Sequence, residues 1–136
     1  MKRRDFVLLS TAAALLPVAA AAAPVDYTPG LVKKHLAQGD TVFLDFKASW
    51  CSTCAAQERV INALLEANPA YEKNVVFVNV DWDQFKGAEL TKSLNIPRRS
   101  TLVVLKGDKE LGRIVAGTSK NDIQALMDTA LNAATA

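Results

Sequence analysis

Residues 41–47 read Thr-Val-Phe-Leu-Asp-Phe-Lys and residues 75–80 read Val-Val-Phe-Val-Asn-Val, apolar at nearly every step. A strand buried on both faces carries apolar side chains on both sides of its pleat. Both runs are therefore predicted as central strands of a sheet covered by helices. Between them, Val60, Ile61, Leu64 and Leu65 recur at helical spacing and predict a helix over 52–67, stopped by Asn68-Pro69. Tyr71 to Asn74 read as a loop, residues 87–94 as a short helix, and Asn95 to Ser100 as a second loop. Residues 101–106 form a third strand. Gly107-Asp108 is a hairpin signal that pairs it with an antiparallel strand over 110–116. After the break at Gly117-Thr118-Ser119, Ile123, Leu126, Met127, Ala130 and Leu131 make the stripe of a last helix over 120–134, its alanine-rich end frayed after Leu131. Upstream, Val25-Asp26-Tyr27 is a short edge strand. Thr28-Pro29 is read as cap and first position of a helix over 29–38 that Gly39 ends.

The long connections between the first strands are crossovers, which makes strands 41–47 and 75–80 parallel, while the hairpin adds antiparallel partners. The fold class is α/β: a three-layer sandwich with a central mixed sheet of about four strands and helices on both faces.

The first 23 residues have a different character. Met1-Lys2-Arg3-Arg4 is a basic start, Phe6 to Leu16 an apolar stretch ended by Pro17, and Ala19 to Ala23 a tract of small residues suited to cleavage. This is the layout of a secretory signal peptide. Arg3-Arg4-Asp5-Phe6-Val7 resembles the twin-arginine export motif, and that pathway is favoured over the general one. Residues 24–136 are then the folded domain, placed outside the cytoplasm, in the periplasm. Of 16 basic and 14 acidic residues, three and one lie in this leader, so the remainder balances at zero. A neutral domain gives no argument for nucleic acid or an anionic surface as partner.

The chain's two cysteines, Cys51 and Cys54, fall where the strand over 41–47 hands over to the helix over 52–67. A C-x-x-C at a strand-to-helix junction points to thiol–disulfide chemistry. A helix N-terminus offers unpaired N–H groups and partial positive charge, which stabilise a thiolate at Cys51. Metal binding stays open. A closed zinc site needs four ligands, and the chain has two cysteines and one histidine, His35, which reads as an ordinary residue of the first helix. A purely structural disulfide is the third reading, weakened by the short loop it closes.

The pattern resembles the thioredoxin family over about residues 27–132. The resemblance rests on Phe43-Leu44-Asp45-Phe46-Lys47-Ala48-Ser49-Trp50-Cys51-x-x-Cys54, on Val78-Asn79-Val80-Asp81, on Ser100-Thr101-Leu102 before a strand, and on Gly107 and Gly117. It implies that Cys51, the more exposed thiol, attacks a substrate disulfide and that Cys54 resolves the mixed disulfide. It also implies that the buried Asp45 relays a proton at Cys54, and that Trp50, Arg99 and Ser100 face the substrate. The family's lysine partner for this acid is missing, since Phe77 stands at the matching position. The family's cis-proline is replaced by Ser100; Pro97 comes three residues too early. A cis bond before a non-proline residue costs about 3–4 kcal/mol, so a trans bond is expected. Arg98 and Arg99 are expected beside the same surface. The hydroxyls of Ser52 and Thr53 are candidate donors to a thiolate, which would make the disulfide more oxidising.

The function expected is a periplasmic thiol–disulfide oxidoreductase, working as a reductase on protein disulfides. It would need no cofactor, would draw electrons from a membrane donor and would act as a monomer. The competing expectation is a metal-binding or metal-delivery protein that uses the two thiolates.

Overall fold

The computed structural model describes residues 24–136, so the expected signal peptide over 1–23 lies outside the described residues. Eleven elements follow in order: β1 (Val25–Asp26), α1 (Leu31–Ala37), β2 (Thr41–Lys47), α2 (Ser52–Ala67), α3 (Ala70–Asn74), β3 (Val75–Asp81), α4 (Trp82–Phe85), α5 (Glu89–Ser93), β4 (Thr101–Lys106), β5 (Lys109–Val115) and α6 (Lys120–Thr135). The five strands form one mixed sheet in the order β1-β3-β2-β4-β5. The fifth strand is the expected short edge strand β1, which pairs parallel with β3 and so adds one to the four counted for the central sheet. β2 lies at the centre, parallel to β3 and antiparallel to β4.

The two-residue side-chain period of the strands sorts the core into two layers. Phe43, Phe77, Leu102 and Val104 pack with Ile61 and Leu64 of α2, Tyr71 of α3 and Ile123 and Met127 of α6. Val42, Leu44, Phe46, Val78, Val80 and Val103 face the other way, onto Val32 of α1 and, through half-buried Phe85 and Leu90, onto α4 and α5. β2 is therefore covered on both faces, which its apolar run requires. Asp45 is the one buried charged residue in that run; Lys47 ends it, half-buried. On the far side of β4, Val104 pairs with Gly112 and Leu105 with Glu110, so Leu111 is an extra residue that bulges β5.

Local chemistry moves several boundaries. The first helix starts at Leu31 with Gly30 as its cap (φ 87°), not at Pro29 with Thr28 as cap. Glycine alone takes that left-handed step without cost, and the Thr28 carbonyl instead accepts from the Leu31 N–H at 3.0 Å. The segment read as a loop over Tyr71 to Asn74 is the short helix α3. Pro69 is preset near helical φ (−61°), and the Asn68 Oδ1 accepts from the Ala70 N–H at 3.1 Å. α4 exists because Asp81 caps it, accepting from the Asp83 N–H at 3.0 Å. At the C-terminus α6 runs to Thr135, one residue past the expected end and helical through the stretch expected to fray; the Lys106 Nζ donates to the Ala133 carbonyl there. Among the described residues no helix is long and apolar enough to cross a membrane.

Candidate active site

Cys51 is the N-cap of α2. Its backbone is extended (φ −92°, ψ 112°) and its sulfur accepts from the Cys54 N–H at 3.1 Å. A side chain that caps a helix takes an N–H that would otherwise go unpaired, and here the capping atom is a cysteine sulfur. Cys51 and Cys54 are joined as a disulfide, their Cα atoms 5.2 Å apart. Both are buried, at 4% and 2% exposure. Cys51 is the more exposed of the two, as expected, but only slightly: Ala48 and Trp82 pack around the pair.

The loop opposite is organised by Ser100. Its backbone is left-handed (φ 63°), and no peptide bond among the described residues is cis. Its N–H donates to the Phe46 carbonyl at 2.7 Å, and its carbonyl accepts from the Ala116 N–H at 2.8 Å. The Gln57 Nε2 donates to the same carbonyl and to that of Gly117, both at 2.9 Å. With its backbone so held, Ser100 is fully buried. Its Oγ lies 3.1 Å from the Cys51 sulfur and 3.1 Å from the Cys54 sulfur. Ser100 was expected to face a substrate; it faces the sulfurs instead, because a left-handed backbone at this point turns the hydroxyl inward. The expected donors Ser52 and Thr53 make no hydrogen bond to either sulfur among the described residues; Ser100 takes that place.

The exposed wall belongs to Trp50. It is 59% exposed. Its Nε1 donates to both carboxylate oxygens of Asp83, at 3.2 and 2.9 Å, and the Arg99 guanidinium stands 4.4 Å above its ring. Arg98 turns back on its own loop, its Nε donating to the Arg99 carbonyl at 3.1 Å. Of the two arginines, Arg99 is the one on the Trp50 wall.

Asp45 is buried on the face of β2 that looks towards α2, and its Oδ1 has no hydrogen-bond partner. Burial raises its pKa to about 7; Lys47 lowers it and Glu58 raises it. Those two neighbours form an ion pair at 3.0 Å. They line a cavity of about 40 Å³ with Asp45, Asn62 and Phe77, large enough for a water molecule. Phe77 packs on Phe43 with ring centroids 5.1 Å apart. The lysine charge missing at Phe77 is therefore supplied by Lys47, two residues along on the same face of the strand.

His35 pairs its Nδ1 with the Asp40 Oδ2 at 2.9 Å, away from the cysteines in sequence and fold. Among the described residues no group of three or more His, Cys, Asp or Glu comes together. Sequence reasoning missed Gln57 and Asp83. Gln57 carried a signal: with Cys54 and Ile61 it falls on the buried stripe of α2 at helical spacing, where a polar residue needs a partner. Asp83 carried none, since its partner Trp50 is 33 residues distant.

A disulfide at the head of a helix, fed by the central strand of a mixed sheet and bordered by an exposed tryptophan, defines a redox-type α/β domain. The thioredoxin family model matches residues 25–129, and the chain belongs to the thioredoxin family. It is similar to Thioredoxin H2-1 of Oryza sativa subsp. japonica, 32% identical over 65% of this chain and 59% of the relative. It is also similar to Thioredoxin H2 of Arabidopsis thaliana, 32% identical over 60% of this chain and 56% of the relative. The match thus spans less than two thirds of either relative. Among solved structures, Trxlp from Edwardsiella tarda EIB202 is 28% identical with a TM-score of 0.64, covering 75% of this chain and 97% of that one.

Proposed function

We propose that the chain is a thiol–disulfide oxidoreductase that exchanges the Cys51–Cys54 disulfide with protein substrates. The observation that carries this reading is the capping contact: the sulfur of Cys51 accepts the Cys54 N–H at the positive end of a 16-residue helix. That contact favours a thiolate at Cys51, the form that attacks a disulfide. In the reducing direction, the Cys51 thiolate attacks one sulfur of the substrate disulfide, and the other substrate sulfur leaves as a thiolate and takes a proton. Cys54 gives up its proton, and buried Asp45, whose pKa is raised to about 7, is the acceptor this reading assigns to it. The Cys54 thiolate then attacks the Cys51 sulfur and releases the second substrate thiolate. Two electrons pass to the substrate, and the Cys51–Cys54 disulfide remains.

The substrate wall of this reading is Trp50 with Arg99. The setting is the periplasm, reached by the twin-arginine pathway; the Arg3-Arg4-Asp5-Phe6 start, the apolar stretch and the alanine tract support it. In an oxidising compartment a reductase needs a steady electron source, so the reading includes a membrane electron donor and a monomer that docks on it. The reduction potential of the purified protein tests the direction. A value near about −270 mV supports the reductase, and one near about −120 mV replaces it with an oxidant. A Cys54→Ser variant should trap substrates as mixed disulfides through Cys51; absence of any trapped protein counts against protein substrates.

A further inference from the structure

Ser100 holds a conformation that its own side chain makes costly. In a non-glycine residue at φ 63° the Cβ crowds the following carbonyl, and glycine would relieve that at once. The strain is sustained by three hydrogen bonds at the Ser100 backbone, two with the backbone of Phe46 and Ala116 and one from the Gln57 side chain. What the serine keeps that a glycine would lose is one hydroxyl, fully buried and 3.1 Å from each sulfur. A hydroxyl has one proton to donate, so it cannot serve both sulfurs at once. In the disulfide both sulfurs are weak acceptors. On reduction one of them carries charge, and a hydrogen bond to a charged acceptor is about twice as strong as a neutral one.

We propose that Ser100 Oγ is a catalytic hydrogen-bond donor that follows the negative charge between the two sulfurs, stabilising the Cys51 thiolate in the dithiol and the Cys54 sulfur while it attacks or leaves. This deepens the oxidoreductase reading and rests on it. When a dithiol reduces the pair, its thiolate attacks the Cys51 sulfur, the Cys51–Cys54 bond breaks, and Cys54 departs with the electron pair. The Ser100 hydroxyl is already within reach of that charge, so no reorganisation is needed. Cys54 then takes a proton from Asp45 or water, while the second substrate thiol loses its own. As that second thiolate displaces Cys51, the charge moves to the Cys51 sulfur and the hydroxyl swings to it. Because the donor favours the reduced state, it makes the pair more oxidising than the same helix end without it. The charged groups around the pair are Arg99 from the loop, Asp83 of α4 through Trp50, and Asp45 of β2 with Lys47 and Glu58 behind it. All of them remain when only the hydroxyl is removed.

The test compares the purified wild-type protein with Ser100→Ala and Ser100→Thr. Two quantities are read: the equilibrium constant for oxidation by glutathione disulfide, and the pH midpoint of Cys51 alkylation by iodoacetamide. Ser100→Ala should raise the oxidation constant about tenfold, a potential about 30 mV more negative, and move the alkylation midpoint upward. Ser100→Thr keeps the hydroxyl and should return both to within threefold of wild type. Should Ser100→Ala fail to fold, Ser100→Gly suits the backbone angle and removes the same hydroxyl. Both quantities staying within twofold in the hydroxyl-free variant would overturn the proposal, as would equal shifts in the alanine and threonine variants. Failure of the wild type to exchange with glutathione would instead remove the oxidoreductase reading, and the alkylation midpoint would still decide the role of Ser100.

Discussion

Gln57 clamps Ser100 from within α2: one side-chain nitrogen donates to the carbonyls of Ser100 and Gly117, both at 2.9 Å. One residue of the cysteine helix thereby ties together the loop before β4 and the chain just after β5. Its own Oε1 is buried without a partner, so the side chain is held for its donors alone.

Gln57→Leu keeps the volume and removes both donors. The Ser100 carbonyl retains the Ala116 N–H, but the Gly117 carbonyl loses this donor. An unsatisfied buried group costs about 1–3 kcal/mol, offset in part by removing the unpartnered Oε1. A net loss of about 1–2 kcal/mol is expected, read as a lower urea midpoint at unchanged slope. A variant as stable as wild type would show that the clamp holds nothing.

Trp50 makes the opposite prediction. At 59% exposure it contributes little to the core, and its contact with Arg99 is worth about 0.5–1 kcal/mol at an exposed site. Trp50→Ala should therefore unfold within about 1 kcal/mol of wild type. Reduction of a protein disulfide should slow about fivefold or more, while reduction of a small disulfide such as glutathione disulfide changes little. Equal slowing on both substrates would mean that Trp50 supports the cysteines rather than the substrate.

Tyr71 ties α3 to α6 by donating its hydroxyl to the Asp128 Oδ1. Its ring is buried in the core, so Tyr71→Phe removes the hydrogen bond and leaves the packing. A loss of about 1 kcal/mol is expected, and Asp128→Asn, which can still accept, should lose less. A Tyr71→Phe loss above about 3 kcal/mol would mean the ring itself had moved.

The long elements were legible because each repeats its own period. β2 and β3 are apolar on both faces and α2 carries a stripe, so their order and the parallel crossover could be read directly. The short helices α3 and α4 have four or five residues each, too few to show a period. They depend on one preset proline angle and one aspartate cap. At the site, the cysteine pair was visible because it stands at a junction of two readable elements. Ser100 was visible as an unusual residue, but its inward turn was not. That turn depends on hydrogen bonds from Ala116 and Gln57, 16 and 43 residues away in sequence. The charge near Asp45 divides the same way: Lys47 follows from the two-residue strand period, whereas Glu58 arrives from α2 and needs the packed fold.

Asp45 provides the last prediction. Its ordinary pKa of 3.8 rises to about 7 in the folded protein, chiefly through burial. The folded state therefore binds more protons than the unfolded state between about pH 4 and pH 7, and stability must fall as pH rises through that window. Below about pH 4 the carboxyl is neutral in both states and the penalty vanishes; above about pH 7 it is present in full. A change from 3.8 to about 7 corresponds to roughly 4 kcal/mol as an upper bound. Asp45→Asn removes the charge and keeps the shape. It should be more stable than wild type at pH 8, by about 2–4 kcal/mol on that scale, and its advantage should shrink to near zero by pH 4. If Asp45 is the proposed acceptor of the Cys54 proton, the same variant should slow turnover near neutral pH and recover as pH rises and hydroxide takes over. Urea melts of both proteins from pH 4 to pH 9 measure the first effect and disulfide-reduction rates the second. A stability difference independent of pH would mean that Asp45 is already ionised in the folded protein at acid pH, and its part in moving the Cys54 proton would go with it.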